Sequence, residues 1–103
     1  MTRPIDAIQD AVSDWHTDTF GLSDDPARVV RTAKKLLEEA AEAYCAASSG
    51  DERGLRKEIC DVAIVCYSLA QMTDCQLDDE IRGRLVELRK RTDQRQRDYE
   101  RGI

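Results

Sequence analysis

Apolar positions recur along this chain at three- and four-residue spacing, and nowhere do they alternate with period two. That pattern predicts helices throughout and no strands. The first stripe, Ile5, Ile8, Ala11, Val12 and Trp15, predicts an amphipathic helix from about Ile5 to His16. Phe20-Gly21-Leu22-Ser23 breaks it. Asp24-Asp25-Pro26 then offers an acidic cap and a proline at the first helical position. The second helix is expected from Pro26 to Ala47, with Val29, Ala33, Leu36, Leu37, Ala40 and Tyr44 as its apolar stripe. Ser48-Ser49-Gly50-Asp51 predicts a turn, and either Ser49 or Asp51 suits the cap of a third helix, Glu52 to Met72. After a connection from Thr73 to Leu77, Asp78-Asp79-Glu80 favours a fourth helix start by opposing its dipole. Ile81, Leu85 and Leu88 line that helix, which turns wholly polar beyond Thr92 and there either frays or extends as an exposed helix.

The third helix changes character midway. Its opening turns carry Glu52, Arg53, Arg56 and Lys57, but from Ile59 onward apolar residues occur at every angle. A helix apolar all round is one surrounded by protein. A chain of 103 residues with 5% aromatics has little bulky material to surround it. The expected fold is therefore all-α, a four-helix bundle completed by dimerisation. One domain accounts for residues 1–103: a first helix and loop to 24, a core from 25 to 92, and a polar tail from 93.

Charge refines the list of partners. The net charge is −5, yet the segment from Arg82 onward holds eight Lys/Arg against four acids, leaving −9 for the rest. Such asymmetry can mark a nucleic-acid arm. Here acids and glutamines interleave with the basic residues at helical spacing, so a solvated helix face is expected and a nucleic-acid partner is not. Cys45, Cys60, Cys66 and Cys75 form no C-x-x-C pair and nothing at the start resembles a signal peptide, which fits a reducing cytoplasm. Cys60 and Cys66 are read as small buried hydrophobes. No apolar run reaches the roughly 20 residues that span a bilayer.

Two acidic groups carry the candidate chemistry: Glu38-Glu39-Ala40-Ala41-Glu42, and Glu58-Ile59-Cys60-Asp61. Each places carboxylates three residues apart on one helix face. By itself the first group is an ordinary solvated face, because it falls mostly opposite the apolar stripe of its helix. Asp61 is different, flanked by Cys60 and Val62 within the apolar run. A buried aspartate needs a partner. The partner is either Arg31 or Lys35 in an ion pair, or a divalent cation shared with Glu58. Two like charges about 4 Å apart cost about 4 kcal/mol at an effective dielectric near 20, so clustered acids call for counter-charge. Carboxylate-only ligation suits Mg²⁺ or Mn²⁺ rather than zinc or copper.

Other chemistries find little support. His16 is the only histidine, so neither acidic group has the Glu-x-x-His form of di-iron bundles, and no motif supports a triad. No glycine-rich phosphate loop is present. Trp15 and Phe20 either staple the first helix to the bundle or stack on a base. Lys35 shares a face with Glu39 and Glu42, where it neutralises the cluster or grips a phosphate.

The run Lys34-Lys35-Leu36-Leu37-Glu38-Glu39-Ala40-Ala41-Glu42, fifteen intervening residues, then Glu58-Ile59-Cys60-Asp61, resembles the E-E-x-x-E … E-x-x-D signature of the MazG-like all-α nucleoside triphosphate pyrophosphohydrolases. The likeness covers roughly Asp25 to Arg91, and Trp15 to Gly21 is similar to the opening segment of some short members. Phosphoribosyl-ATP pyrophosphohydrolases share the core signature and resemble this chain in Lys34-Lys35 and the Leu88-x-x-Arg91 ending. The resemblance implies a helical homodimer or homotetramer holding Mg²⁺ between helices two and three, with Glu39, Glu42, Glu58 and Asp61 as ligands. It also implies Glu38 as the residue that orients or deprotonates the attacking water. The implied reaction is cleavage of a (deoxy)nucleoside triphosphate into monophosphate and pyrophosphate. Lys35, Arg89 or Arg91 would steady the phosphates; the signature does not assign the residues that meet the base, for which Trp15 is the candidate by its aromatic ring alone. Phosphoribosyl-ATP hydrolysis is the alternative reaction, and a non-catalytic oligomerisation or regulatory module is the alternative class.

Overall fold

The computed structural model describes residues 4–21 and 25–102. Four helices follow one another: α1 (Pro4–Phe20), α2 (Pro26–Ser48), α3 (Glu52–Met72) and α4 (Leu77–Glu100), with no strand among the described residues. The expected break at Leu22-Ser23, the cap contribution of Asp24 and the side chain of Ile5 lie outside the described residues. α1 runs to Phe20, one turn beyond the expected end. The polar end of α4 stays helical to Glu100.

Local chemistry sets the boundaries. The extended Asp25 accepts a hydrogen bond from the Ala27 amide at 3.0 Å through Oδ1, and Pro26 follows at the first helical position. Asp51 rather than Ser49 caps α3, accepting from the Gly54 amide at 2.9 Å. Between these helices Gly50 takes φ +73°, a left-handed conformation that a side chain disfavours, while the Asp51 amide returns to the Ala46 carbonyl at 2.9 Å. So short a connection makes α2 and α3 antiparallel neighbours, and theirs is the most extensive packing in the chain.

α1 lies against α3, and one buried amide ties it to the turn between α3 and α4. Gln9, 2% exposed, donates from Nε2 to the Cys75 carbonyl at 2.9 Å and accepts from the Leu77 amide at 3.0 Å. Gln76, the residue before α4, makes no side-chain cap bond, so Gln9 satisfies one of the orphan amides of that helix start from across the fold. Asp74 in the same turn takes φ 55°, which aspartate tolerates better than most residues.

The interior is thin. Among the described residues Ala70 is the one buried apolar side chain; Gln9, Glu39 and Ser68 are the buried polar ones. α4 touches α1 and α3 lightly, and its stripe of Ile81, Leu85, Val86 and Leu88 stays 42–56% exposed. The radius of gyration, 17.5 Å, exceeds the roughly 13 Å of a compact chain of this length. α3 is consequently not enclosed by its own chain: Ile59 is 55% exposed, and Cys60, expected inside, is exposed while Cys66 is half-buried. α4 packs only lightly on α3 and so leaves much of it uncovered. No helix among the described residues is long and apolar enough to cross a membrane.

Candidate metal centre

On α2, Lys35, Glu39 and Glu42 stand at helical spacing on one face, and the α3 hairpin arm brings Glu58 and Asp61 against it. One oxygen from each of Glu39, Glu58 and Asp61 lies within 4.8 Å of the other two. Glu39 is the buried member, its side chain 9% exposed, and Glu58 is nearly as enclosed. The solvated-face expectation therefore fails for Glu39. α3 closes over the face of α2 that carries Val29, Leu36, Glu39 and Ala43, whereas Leu37 and Tyr44 of the expected stripe stay 71% and 74% exposed.

Counter-charge comes from two lysines, each one turn before the acid it serves. Lys35 Nζ is 2.9 Å from Oε1 of Glu39. Lys57 Nζ is 3.2 Å from Oδ2 of Asp61 and 3.4 Å from Oε1 of Glu58. The partner of Asp61 is thus neither Arg31 nor Lys35, and Asp61 is half-buried rather than enclosed. Both lysines are more than half exposed and free to swing toward solvent.

The lysines leave part of the demand unmet. Oε2 of Glu39 and Oε2 of Glu58 are buried without a hydrogen-bond partner. The two acids respond in opposite directions. The hydrogen bond from Lys35 holds Glu39 below the ordinary carboxylate range, with the Glu58 carboxyl adding to it. Hydrogen bonding to Glu39, then burial, lifts Glu58 above that range. As pH falls, the first proton the pair takes up therefore goes to Glu58. Lys35 and Lys57 are both raised, chiefly by their hydrogen bonds to Glu39 and Asp61 respectively. Three carboxylates at this separation, two of which hold a buried oxygen without a partner, fit a hard divalent cation with oxygen ligands.

The other expected site residues are placed unevenly. Glu42 is exposed and outside the three-oxygen group, yet close enough to push Glu58 upward, and with Glu58 it lines a hollow of about 550 Å³ by the α2–α3 turn. Glu38 is exposed on the neighbouring arc, and its charge reaches Lys35. Trp15, half exposed, packs edge-on against Phe20 with ring centroids 5.9 Å apart. Arg89 and Arg91 are exposed on α4, which makes no packing contact with α2, so one chain does not bring them to the acids. The residues missed at the sequence level are Lys57, whose four-residue spacing to Asp61 was a usable signal, and Arg28, which bonds His16 across α1 and α2. In comparisons with known proteins, no family model, curated protein or solved structure matches this chain.

Proposed function

We propose that this chain is a Mg²⁺-dependent nucleotide pyrophosphohydrolase of the MazG-like kind. The observation that carries the proposal is that Glu39 and Glu58, each with a buried Oε2 lacking a hydrogen-bond partner, bring one oxygen apiece within 4.8 Å of one another and of an Asp61 oxygen. Glu39, Glu58 and Asp61 would hold the cation, with Glu42 at the edge. Mg²⁺ bound there would offset phosphate charge and acidify the attacking water. Glu38, exposed beside the cluster, accepts the proton of that water as its oxygen attacks the α-phosphorus. The bond from that phosphorus to the bridging oxygen breaks, giving a nucleoside monophosphate and pyrophosphate. Lys35, released from Glu39, turns to a phosphate oxygen.

A second copy of the chain completes the fold in this proposal. Support comes from the apolar stripe of α4 and from Ile59, which the single chain leaves open. A homodimer or homotetramer would cover these and is the route by which Arg89 or Arg91 would reach an active site. Four free cysteines fit a reducing compartment such as the cytoplasm.

The decisive experiment incubates the protein with Mg²⁺ and a panel of NTPs, dNTPs and phosphoribosyl-ATP, scoring pyrophosphate against orthophosphate. Pyrophosphate with an equal amount of monophosphate is expected. Orthophosphate alone, or no release from any substrate, overturns the proposal. One observation favours a non-catalytic helical scaffold instead: Glu39 and Asp61 each already hold a lysine. Such a scaffold would gain no thermal stability from Mg²⁺.

A further inference from the structure

Away from the acids, α1 and α2 border a second hollow of about 440 Å³, lined by His16, Phe20, Arg28, Arg31, Thr32 and Lys35. At 100° per residue, Arg28, Arg31, Thr32 and Lys35 fall within an arc of about 100°. Glu39 and Glu42 continue the same arc. One face of α2 is therefore cationic over its first turns and anionic over the next. The middle of the cationic stretch lies about 10 Å along the helix from Glu39, at about 1.5 Å per residue.

Of the three cations that line this hollow, Arg28 is held by a neutral partner and the other two by carboxylates. Nη2 of Arg28 is 3.0 Å from Nε2 of His16. A guanidinium only donates, so His16 accepts through Nε2 and carries its proton on Nδ1. Burial, then the charge of Arg28, hold the imidazole below its ordinary range and hence neutral. Arg28 thus keeps its full charge while its direction is fixed. Arg31 has Asp25 at 3.9 Å, both side chains more than half exposed, a loose pairing that a better anion displaces. Lys35 is divided between the hollow and Glu39. The Phe20 ring, tilted 50° to His16 with centroids 5.0 Å apart, supplies an apolar wall.

We propose that the α1–α2 hollow is a binding site for the diphosphate portion of a small phosphate-bearing ligand, gripped by Arg28 and Arg31. Two arginine forks match phosphate oxygens in pairs, which a single carboxylate would not require. A nucleic-acid strand is disfavoured because the acidic half of the same helix face repels a continuing polyanion. Binding of the anion stands on its own. Its alignment with the acids rests on the pyrophosphohydrolase proposal, in which this hollow receives the leaving pyrophosphate.

The test titrates the full chain with inorganic pyrophosphate in EDTA, followed by calorimetry and by amide chemical shifts. Saturable binding is expected, with shifts centred on α1 and the first half of α2. Arg28→Gln and Arg31→Gln should each weaken it tenfold or more, whereas Glu58→Gln should not weaken it. Arg31 is exposed, so its variant decides the matter even if Arg28→Gln misfolds. No saturable binding, or an affinity unmoved by Arg31→Gln, overturns the proposal. Turnover without metal-free pyrophosphate binding would defeat this site alone. Metal-free binding without turnover with any nucleotide would defeat the catalytic proposal alone.

Discussion

Lys35 and Glu39 stand one helical turn apart with 2.9 Å between Nζ and Oε1, so the most buried acid of the cluster draws its counter-charge from an exposed lysine of its own helix. A cation that bridges Glu39, Glu58 and Asp61 therefore shares the Glu39 carboxylate charge with that lysine or displaces it. Mg²⁺ is expected to raise the melting temperature. At a hundred times its dissociation constant a ligand stabilises by about 2.7 kcal/mol, which for a domain of this size is a shift on the order of 10 °C. Glu39→Gln or Asp61→Asn should abolish the Mg²⁺ shift, while the melting temperature in EDTA stays level or rises. Calorimetry with and without Mg²⁺ checks both halves.

Glu38 is exposed and outside the three-oxygen group. If it handles the proton of the attacking water, Glu38→Gln lowers kcat by roughly 10²–10⁴-fold. The Mg²⁺-induced thermal shift should survive the same substitution. Loss of both together would make Glu38 a ligand.

His16 gives a pH dependence with a definite sign. Its folded value lies below the ordinary 6.5, first through burial and then through Arg28. The unfolded chain then binds more protons at mildly acid pH, so this contribution is fully present above about 6.5 and is lost as pH falls toward the depressed value. Urea midpoints between pH 7.5 and pH 5 should fall less steeply in His16→Gln than in the natural chain. Equal slopes would remove His16 from the account.

Gln9 is expected to be costly to replace. Gln9→Ala strands the Cys75 carbonyl and the Leu77 amide, and an unsatisfied buried group costs about 1–3 kcal/mol. Gln9→Glu keeps an acceptor for Leu77 but loses the donor to Cys75, and should fall between. Urea unfolding at pH 7 ranks the three chains.

Ile81 and Leu85 lie on the open stripe of α4. Replacing both by glutamate should convert an oligomer to a species of the chain's own mass by light scattering, with a lower melting temperature. A natural chain that is monomeric at every concentration would remove the second copy from the proposal.

The helix boundaries were legible because their signals are local: Pro26 behind Asp25, Gly50 before Asp51, and a run of acids opening α4. The all-α class followed from spacing alone. A projection of α2 taken alone sets Glu39 on a solvated face, because it does not show where the α3 arm closes. Cys60 was misplaced for a related reason, since apolar residues on every side say that α3 needs cover but not whether this chain provides it. Gln9 was invisible, being a polar residue whose partners lie 66 and 68 positions away.

That separation has a kinetic consequence. The Cys75 carbonyl and the Leu77 amide, between α3 and α4, gain their partner only when a residue from near the start of the chain arrives, after the entropy of closing a loop of 66 to 68 residues has been spent. The α2–α3 hairpin needs no such closure and can form early from neighbouring residues. Docking of α1 and the setting of α4 are thus late events in folding, and a chain still emerging from synthesis holds its acidic hairpin before it holds the clasp that orients its last helix.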